Sequence, residues 1–362
     1  MRRYLAPFVV MVIFTASCTP KSVSCAELPL PVVTVERFTP TAGISQLPST
    51  TPTLSANLSN SILLTTTPSV TPSLTPDPYR EMYIDALAAR KYGGGVLEDL
   101  GSLNSSSGAF SRRLFRYRSE GLNLYGFINL PEGEGPFPLI IMLHGYVNPQ
   151  EYKTLDYSIR YADALAEAGY IVLHPNLRGY APSPEAENAF GIGDTVDILN
   201  LLSLCRQSAG VDGLLKKADG TKIGLWGHSM GGGIVLRILT IEKDIQAALL
   251  YASINADEKI NLMHFEEDGR GTEEISAPDE ILERISPLGY LDRINTPISI
   301  HHGDADSLVP VEWSENLCQH LKSKGKSVDC LIYEGQPHTF RNSGDTQFIA
   351  NMISFFDGYM KK

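Results

Sequence analysis

The feature that most restricts this chain is the run Gly227-His228-Ser229-Met230-Gly231, set between two stretches of different periodicity. Before it, Lys222–Trp226 is short and largely apolar and reads as a strand; after it, Met230–Ile241 reads as a helix. A strand that passes into a helix over so few residues must turn sharply at Ser229. Such a turn holds the serine in a strained backbone conformation with its hydroxyl exposed. A side chain at Gly227 or Gly231 would collide with neighbouring backbone, which is why glycine stands there. The helix N-terminus behind the serine favours negative charge. This context, more than the bare pattern, makes Ser229 the candidate nucleophile.

The surrounding sequence repeats that alternation. Leu114–Tyr117 and Leu122–Leu130 read as strands joined at Ser119-Glu120-Gly121, and Leu139–Leu143 is the continuous apolar run of a strand buried on both faces. Helix Tyr157–Ala168 stops at Gly169, and strand Tyr170–Leu173 and helix Asp194–Gln207 follow. Further strands are expected at Ala247–Tyr251, Ile298–His301 and Val328–Tyr333, with helices over Val311–Lys322 and Thr346–Met360. The order implies an α/β fold with a mainly parallel sheet flanked by helices. Ahead of it, Tyr79–Tyr92 has helical spacing. Residues 253–293 break the rhythm and form an expected insertion, placed either as a lid or as an ordinary surface excursion.

A serine hydroxyl needs a base, and the base needs an orienter. When the nucleophile sits on this kind of turn, the partners follow in the order serine, acid, histidine. Of the eight histidines, His338 in Gly335-Gln336-Pro337-His338 combines a loop position after the last strand with that order. His320 falls on a helix, His264 in the insertion, His301 and His302 beneath the loop that follows them, and His228 is expected to point away from the turn. The acid is expected in His302-Gly303-Asp304-Ala305-Asp306, where Asp306 is the candidate and Asp304 the rival, read as a turn cap. The oxyanion needs two preorganised donors. Candidates are the backbone N–H of Met230 and that of Tyr146 in His144-Gly145-Tyr146, with the Tyr146 hydroxyl as the alternative. Arg178 either forms a structural salt bridge or meets a substrate carboxylate. No cofactor is required, and no Cys/His spacing marks a metal site.

The N-terminus is of another kind. Arg2 and Arg3 precede the apolar run Tyr4–Ala16, which is shorter than the ~20 residues of a membrane span and fits an export signal. It closes on Thr15-Ala16-Ser17-Cys18, which resembles a bacterial lipobox although Thr15 stands where leucine is usual. The expected organisation is a signal over 1–18 with Cys18 lipidated, a Ser/Thr/Pro-rich tether over 19–78, and a catalytic domain over 79–362. This implies an extracytoplasmic, membrane-anchored or secreted protein. That compartment permits disulfides among Cys25, Cys205, Cys318 and Cys330, and Cys318 and Cys330 fall on adjacent elements. The net charge of −11 argues against a nucleic-acid partner.

Taken together, Tyr125-Gly126-Phe127-Ile128-Asn129-Leu130-Pro131, Leu143-His144-Gly145-Tyr146, Asn176-Leu177-Arg178-Gly179-Tyr180, the Ser229 run with Gly232, Ser286-Pro287-Leu288 and the Asp306 loop resemble the α/β-hydrolase superfamily. The likeness is to the prolyl-oligopeptidase (S9) catalytic domain and the dienelactone-hydrolase-like branch. It implies a Ser229–Asp306–His338 triad attacking a peptide or ester carbonyl. Oligopeptidases of that family carry a large β-propeller before the catalytic domain, whereas this chain has a short lead-in. The resemblance implies a serine-type peptidase, and this departure from the family pattern favours the alternative, a carboxylesterase or carbohydrate (acetyl) esterase; either would act on a small-molecule ester or peptide. A non-catalytic binding module would not be expected to keep the complete set of three side chains.

Overall fold

A computed structural model of the protein describes residues 77–266, 271 and 274–361. The expected signal, Cys18, Cys25 and nearly all of the expected tether lie outside the described residues. Three strands open the sheet: β1 (Glu98–Leu103), β2 (Phe110–Ser119) and β3 (Leu122–Pro131). Then come β4 (Phe137–Leu143), α2 (Ile159–Glu167), β5 (Ile171–Pro175), α3 (Ile192–Ser208), β6 (Ala218–His228), α4 (Met230–Ile241) and β7 (Ala247–Tyr251). After the insertion, β8 (Ile298–Gly303), α7 (Val311–Ser323), β9 (Val328–Tyr333) and α8 (Asn342–Met360) complete the domain. The strand order is β1-β2-β3-β5-β4-β6-β7-β8-β9. β1, β2, β3 and β5 pair antiparallel in succession, and every pair from β5–β4 to β8–β9 is parallel. This is the α/β-hydrolase fold.

The parallel strands are apolar throughout because both faces are covered. Side chains of α3, α4 and α7 join one buried cluster with the sheet, and those of α2 and α8 join another. A third cluster lies apart from both. In it Tyr83 and Leu87 at the start of the domain pack with Leu262, Leu282 and Ile285 of the insertion. The segment expected as one helix over Tyr79–Tyr92 is a short 3₁₀ turn, Arg80–Met82, followed by α1 (Ile84–Ala89). Tyr83 breaks it, being extended at φ −66°, ψ 142°. β1 was not anticipated. It is an edge strand with few apolar residues, tied to β2 by backbone pairing and by Arg113–Asp99 at 2.6 Å and Arg116–Glu98 at 2.5 Å.

The insertion lies between β7 and β8, one strand earlier than the final strand pair. It contains α5 (Glu258–Phe265), α6 (Asp279–Ile285) and a 3₁₀ segment, Pro287–Arg293. Arg237 of α4 donates to Glu258 of α5 at 2.8 Å in a buried ion pair, and the Leu288 N–H donates to the Ala256 carbonyl at 3.0 Å. The part of the insertion bearing Glu267-Asp268-Gly269-Arg270 lies outside the described residues. Cys318 on α7 and Cys330 on β9 form a disulfide, while Cys205 is a buried free thiol.

Candidate active site

β6 ends at His228 and α4 begins at Met230, so Ser229 is the single residue between them. Its backbone stands at φ 53°, ψ −119°, a conformation rarely adopted by an L-residue and one that occurs where surrounding structure enforces it. The enforcement is visible in the glycines. A Cβ on Gly227 would lie 2.3 Å from the Gly231 carbonyl oxygen, and one on Gly231 would lie 2.3 Å from that of Leu143. The Ser229 N–H donates to the Tyr251 carbonyl at 2.9 Å, which ties the turn to β7.

The loop after β4 reaches the same point. A Cβ on Gly145 would come within 2.9 Å of the Ser229 Cβ and 3.0 Å of the Tyr157 hydroxyl, so glycine lets this loop close on Ser229. Tyr146 follows, and with Met230 it lines a cavity of about 150 Å³ that also holds Ser229. The two residues whose backbone N–H groups are expected to stabilise an oxyanion thus line the same cavity as the serine. Ile254, Leu262 and Phe265 add apolar wall, the last two from α5. The insertion therefore forms part of the site.

The candidate acid and base come from the loops after β8 and β9. His338 Nδ1 lies 2.7 Å from Asp306 Oδ2. A carboxylate can only accept, so Nδ1 carries the hydrogen and Nε2 is left with its lone pair. Asp306 has a fully buried side chain. Burial alone would raise its pKa, but bonds from His302, His338 and the Val309 N–H outweigh burial and hold the carboxyl well below its ordinary range. Those bonds are His302 Nε2 to Oδ2 at 3.0 Å, and the Leu308 and Val309 N–H groups to Oδ1 at 2.8 and 3.0 Å. His302 in turn lies 2.6 Å from the Ser314 hydroxyl. Asp304 does not cap its own turn, as expected from sequence. It accepts from the Gly335 N–H at 2.6 Å and so pins the loop that carries His338 to the loop that carries Asp306.

His228 departs most from expectation. It does not point away from the site. Its ring is buried, with its centroid 4.6 Å from that of His338 and 4.4 Å from that of Tyr251. Nε2 lies 3.1 Å from the His338 carbonyl oxygen, which fixes Nε2 as the donor. Nδ1 is then an acceptor, and the Tyr157 hydroxyl donates to it. The same hydroxyl lies against the Gly145 backbone. Burial, with His338 beside it, lowers the His228 pKa to about 3, so the ring stays neutral in this tautomer. Tyr157 and His228 thus bridge the Gly145 loop to the His338 loop from beneath Ser229. The signal for this was the identity of the residue before the serine, but its partner Tyr157 lies far away in sequence. Arg178 is structural: Nε and Nη2 both donate to Asp197 at 2.8 Å, in a pair almost wholly buried. His264 Nε2 donates to the Leu308 carbonyl at 2.9 Å. His301 packs between Ser299 and Tyr333, and His320 is exposed on α7, where Nδ1 meets the Asn316 carbonyl.

Comparison with known proteins bears on this geometry. Residues 207–362 match the prolyl oligopeptidase family, and residues 138–272 match the alpha/beta hydrolase fold. The chain is 27% identical over 255 residues to the uncharacterized peptidase YuxL of Bacillus subtilis, covering 66% of this chain and 37% of YuxL. It is 26% identical over 246 residues to the uncharacterized peptidase YtmA of the same organism, covering 66% of this chain and 90% of YtmA. Among solved structures, a Pyrococcus horikoshii acylaminoacyl peptidase superposes with a TM-score of 0.59 at 24% identity, over 71% of this chain and 43% of the peptidase. The chain thus spans less than half the length of YuxL and of the archaeal enzyme.

Proposed function

We propose that this chain, which belongs to the α/β hydrolases and carries a prolyl oligopeptidase-family domain, is a serine-type peptidase that cleaves a peptide or ester carbonyl through Ser229, His338 and Asp306. The observation that carries this reading is the 2.7 Å bond from His338 Nδ1 to a buried, ionised Asp306, on a histidine packed against the residue that precedes Ser229. In the proposed reaction Ser229 Oγ attacks the carbonyl carbon and its proton passes to His338 Nε2. Negative charge develops on the carbonyl oxygen, where the Met230 and Tyr146 N–H groups meet it. His338 then returns the proton to the leaving amine or alcohol, and an acyl group remains on Ser229. Water repeats the sequence and frees the acid. Asp306 keeps the imidazole in the right tautomer and steadies the imidazolium without taking its proton.

A second reading, ester hydrolysis, is favoured by the cavity itself. Its walls at Ile254, Leu262 and Phe265 are apolar, which suits the hydrocarbon part of an ester as well as that of a peptide. We further propose that the chain is exported and anchored through Cys18, with residues 19–78 as a tether. The enzymatic proposal is tested with a fluorophosphonate probe and a panel of p-nitrophenyl esters and aminoacyl-p-nitroanilides, on the protein and its Ser229→Ala variant. Labelling and turnover that vanish in the variant are expected, and the faster class assigns peptidase or esterase. A folded protein that neither labels nor turns over any substrate would overturn it.

A further inference from the structure

The cavity that holds Ser229 does not end on an apolar wall. Met230, Ile254, Glu258 and Asn261 line it and also line a second cavity of about 170 Å³. Beyond these shared residues the second chamber is bounded by Arg237, Asp194 and Asn188. The two cavities therefore adjoin along these four residues, and the second sets Asp194, Arg237 and Glu258 among apolar side chains and glycines.

Those charges are unequally answered. Arg237 Nη2 donates to Glu258 Oε2 at 2.8 Å, with the side chains only 5% and 11% exposed. That pair has a structural purpose, since it joins α4 to α5. Asp194, on the first turn of α3, is different. Its Oδ2 accepts from Asn188 Nδ2 at 2.7 Å, but Oδ1 has no hydrogen-bond partner among the described residues although the residue is 1% exposed. Burial pushes this carboxyl up to about 7, with the help of Asp197 and against the Asn188 amide and the guanidinium and more distant backbone N–H of Arg178. An unanswered carboxylate oxygen in a buried site is costly to keep, and this one lines the cavity that adjoins the one holding Ser229. With Arg237 engaged by Glu258, Asp194 Oδ1 is the acceptor the chamber has to offer.

We propose that this chamber is an acyl side-chain subsite for a substrate whose acyl residue ends in a protonated amine, as a lysine does, with Asp194 as the acceptor. The alkyl stem would run along Met230, Ile254 and Leu262, and the ammonium would lie between Asp194 and Glu258, a division of labour that suits a side chain with an apolar stem and a charged tip. A site built to hydrogen-bond a group discriminates strongly against an analogue lacking it, because the buried acceptor is then left unpaired. The proposal rests on Ser229 as nucleophile, and it holds whether the leaving group is an amine or an alcohol.

The test compares the p-nitrophenyl esters of Nα-acetyl-lysine and Nα-acetyl-norleucine, which differ at the tip of the chain, on the full protein and on Asp194→Asn. The wild type is expected to prefer lysine by at least about tenfold in kcat/KM, and the ratio is expected to fall towards one in the variant. Should the variant not fold, the Nα,Nε-diacetyl-lysine ester does the same work on the wild type, where blocking the amine should erase the preference. Equal turnover of the lysine and norleucine esters, a preference that survives both changes, or a 6-hydroxynorleucine ester that matches lysine would each overturn the amine assignment. Failure of the underlying reading looks different: neither ester is turned over and no fluorophosphonate label is taken up.

Discussion

Replacing His228 by leucine removes both polar bonds of a ring buried beneath Ser229 while keeping most of its bulk. The Tyr157 hydroxyl loses its acceptor and the His338 carbonyl loses its donor. Each net hydrogen bond is worth about 0.5–1.5 kcal/mol, so the two together hold the Gly145 and His338 loops in register by about 1–3 kcal/mol. If that energy acts on the geometry of attack, kcat falls about 10–100-fold, at a factor of ten per 1.4 kcal/mol. The cavity walls at Ile254, Leu262 and Phe265 are untouched, so KM should stay within about threefold, the pattern of an interaction made in the transition state rather than in binding. The assay is steady-state hydrolysis of the substrate that proves fastest, with thermal unfolding alongside. His228→Gln is the decisive companion, because its carboxamide N–H can reach the His338 carbonyl and should restore part of kcat. The pH profile of the glutamine variant should keep the wild-type shape, since His228 with a pKa near 3 takes up no proton in the working range. A leucine variant that folds and keeps kcat within twofold, or a glutamine variant as impaired as leucine, would refute the positioning role.

Two further outcomes follow from the site and the N-terminus. Asp306→Asn should leave a folded protein with kcat reduced by about 10³–10⁴-fold, because an amide no longer holds His338 in the tautomer that frees Nε2. The folded Asp306 carboxyl is depressed below its ordinary value, so the stability it contributes is present above about pH 4 and is lost as pH falls through the folded pKa; urea melts of wild type and variant should therefore differ at neutral pH and converge in acid, and a constant difference would count against it. Cys18→Ser should abolish incorporation of labelled palmitate and release the protein from membranes, whereas label retained in that variant would remove the anchor.

Most of the architecture was legible because it is written in local pattern. The apolar runs at Leu139–Leu143, Ala247–Tyr251 and Val328–Tyr333 sit where strands form, and Met230–Ile241 is a helix with the bounds the sequence implies. What escaped was held by interactions that leave no periodic trace. β1 has an edge strand's polar composition and is secured by pairing to β2 and by arginines on it. The helix expected over Tyr79–Tyr92 is interrupted at Tyr83, whose ring instead enters the cluster beneath the insertion, with the Arg284 guanidinium 3.5 Å above it.

The same distinction separates the parts of the site. Ser229, Asp306 and His338 announce themselves because each needs a particular local backbone, a sharp turn or a loop at a strand end, and such backbones constrain neighbouring residues. His228, Asp304 and Asp194 need nothing local. As a residue before the turn, a loop carboxylate and a first-turn acid of a helix they have ordinary local explanations, and each of those explanations is incomplete. Asp304 bonds across to Gly335, His228 to Tyr157 and His338, and Asp194 faces a chamber walled in part by α5, which is tied to α4. The wall of that chamber is the insertion, and the insertion is braced by Tyr83 and Leu87 at the start of the domain. Substrate selection in this protein should therefore respond to changes in the lead-in segment, even though no residue of that segment lines either cavity at the nucleophile.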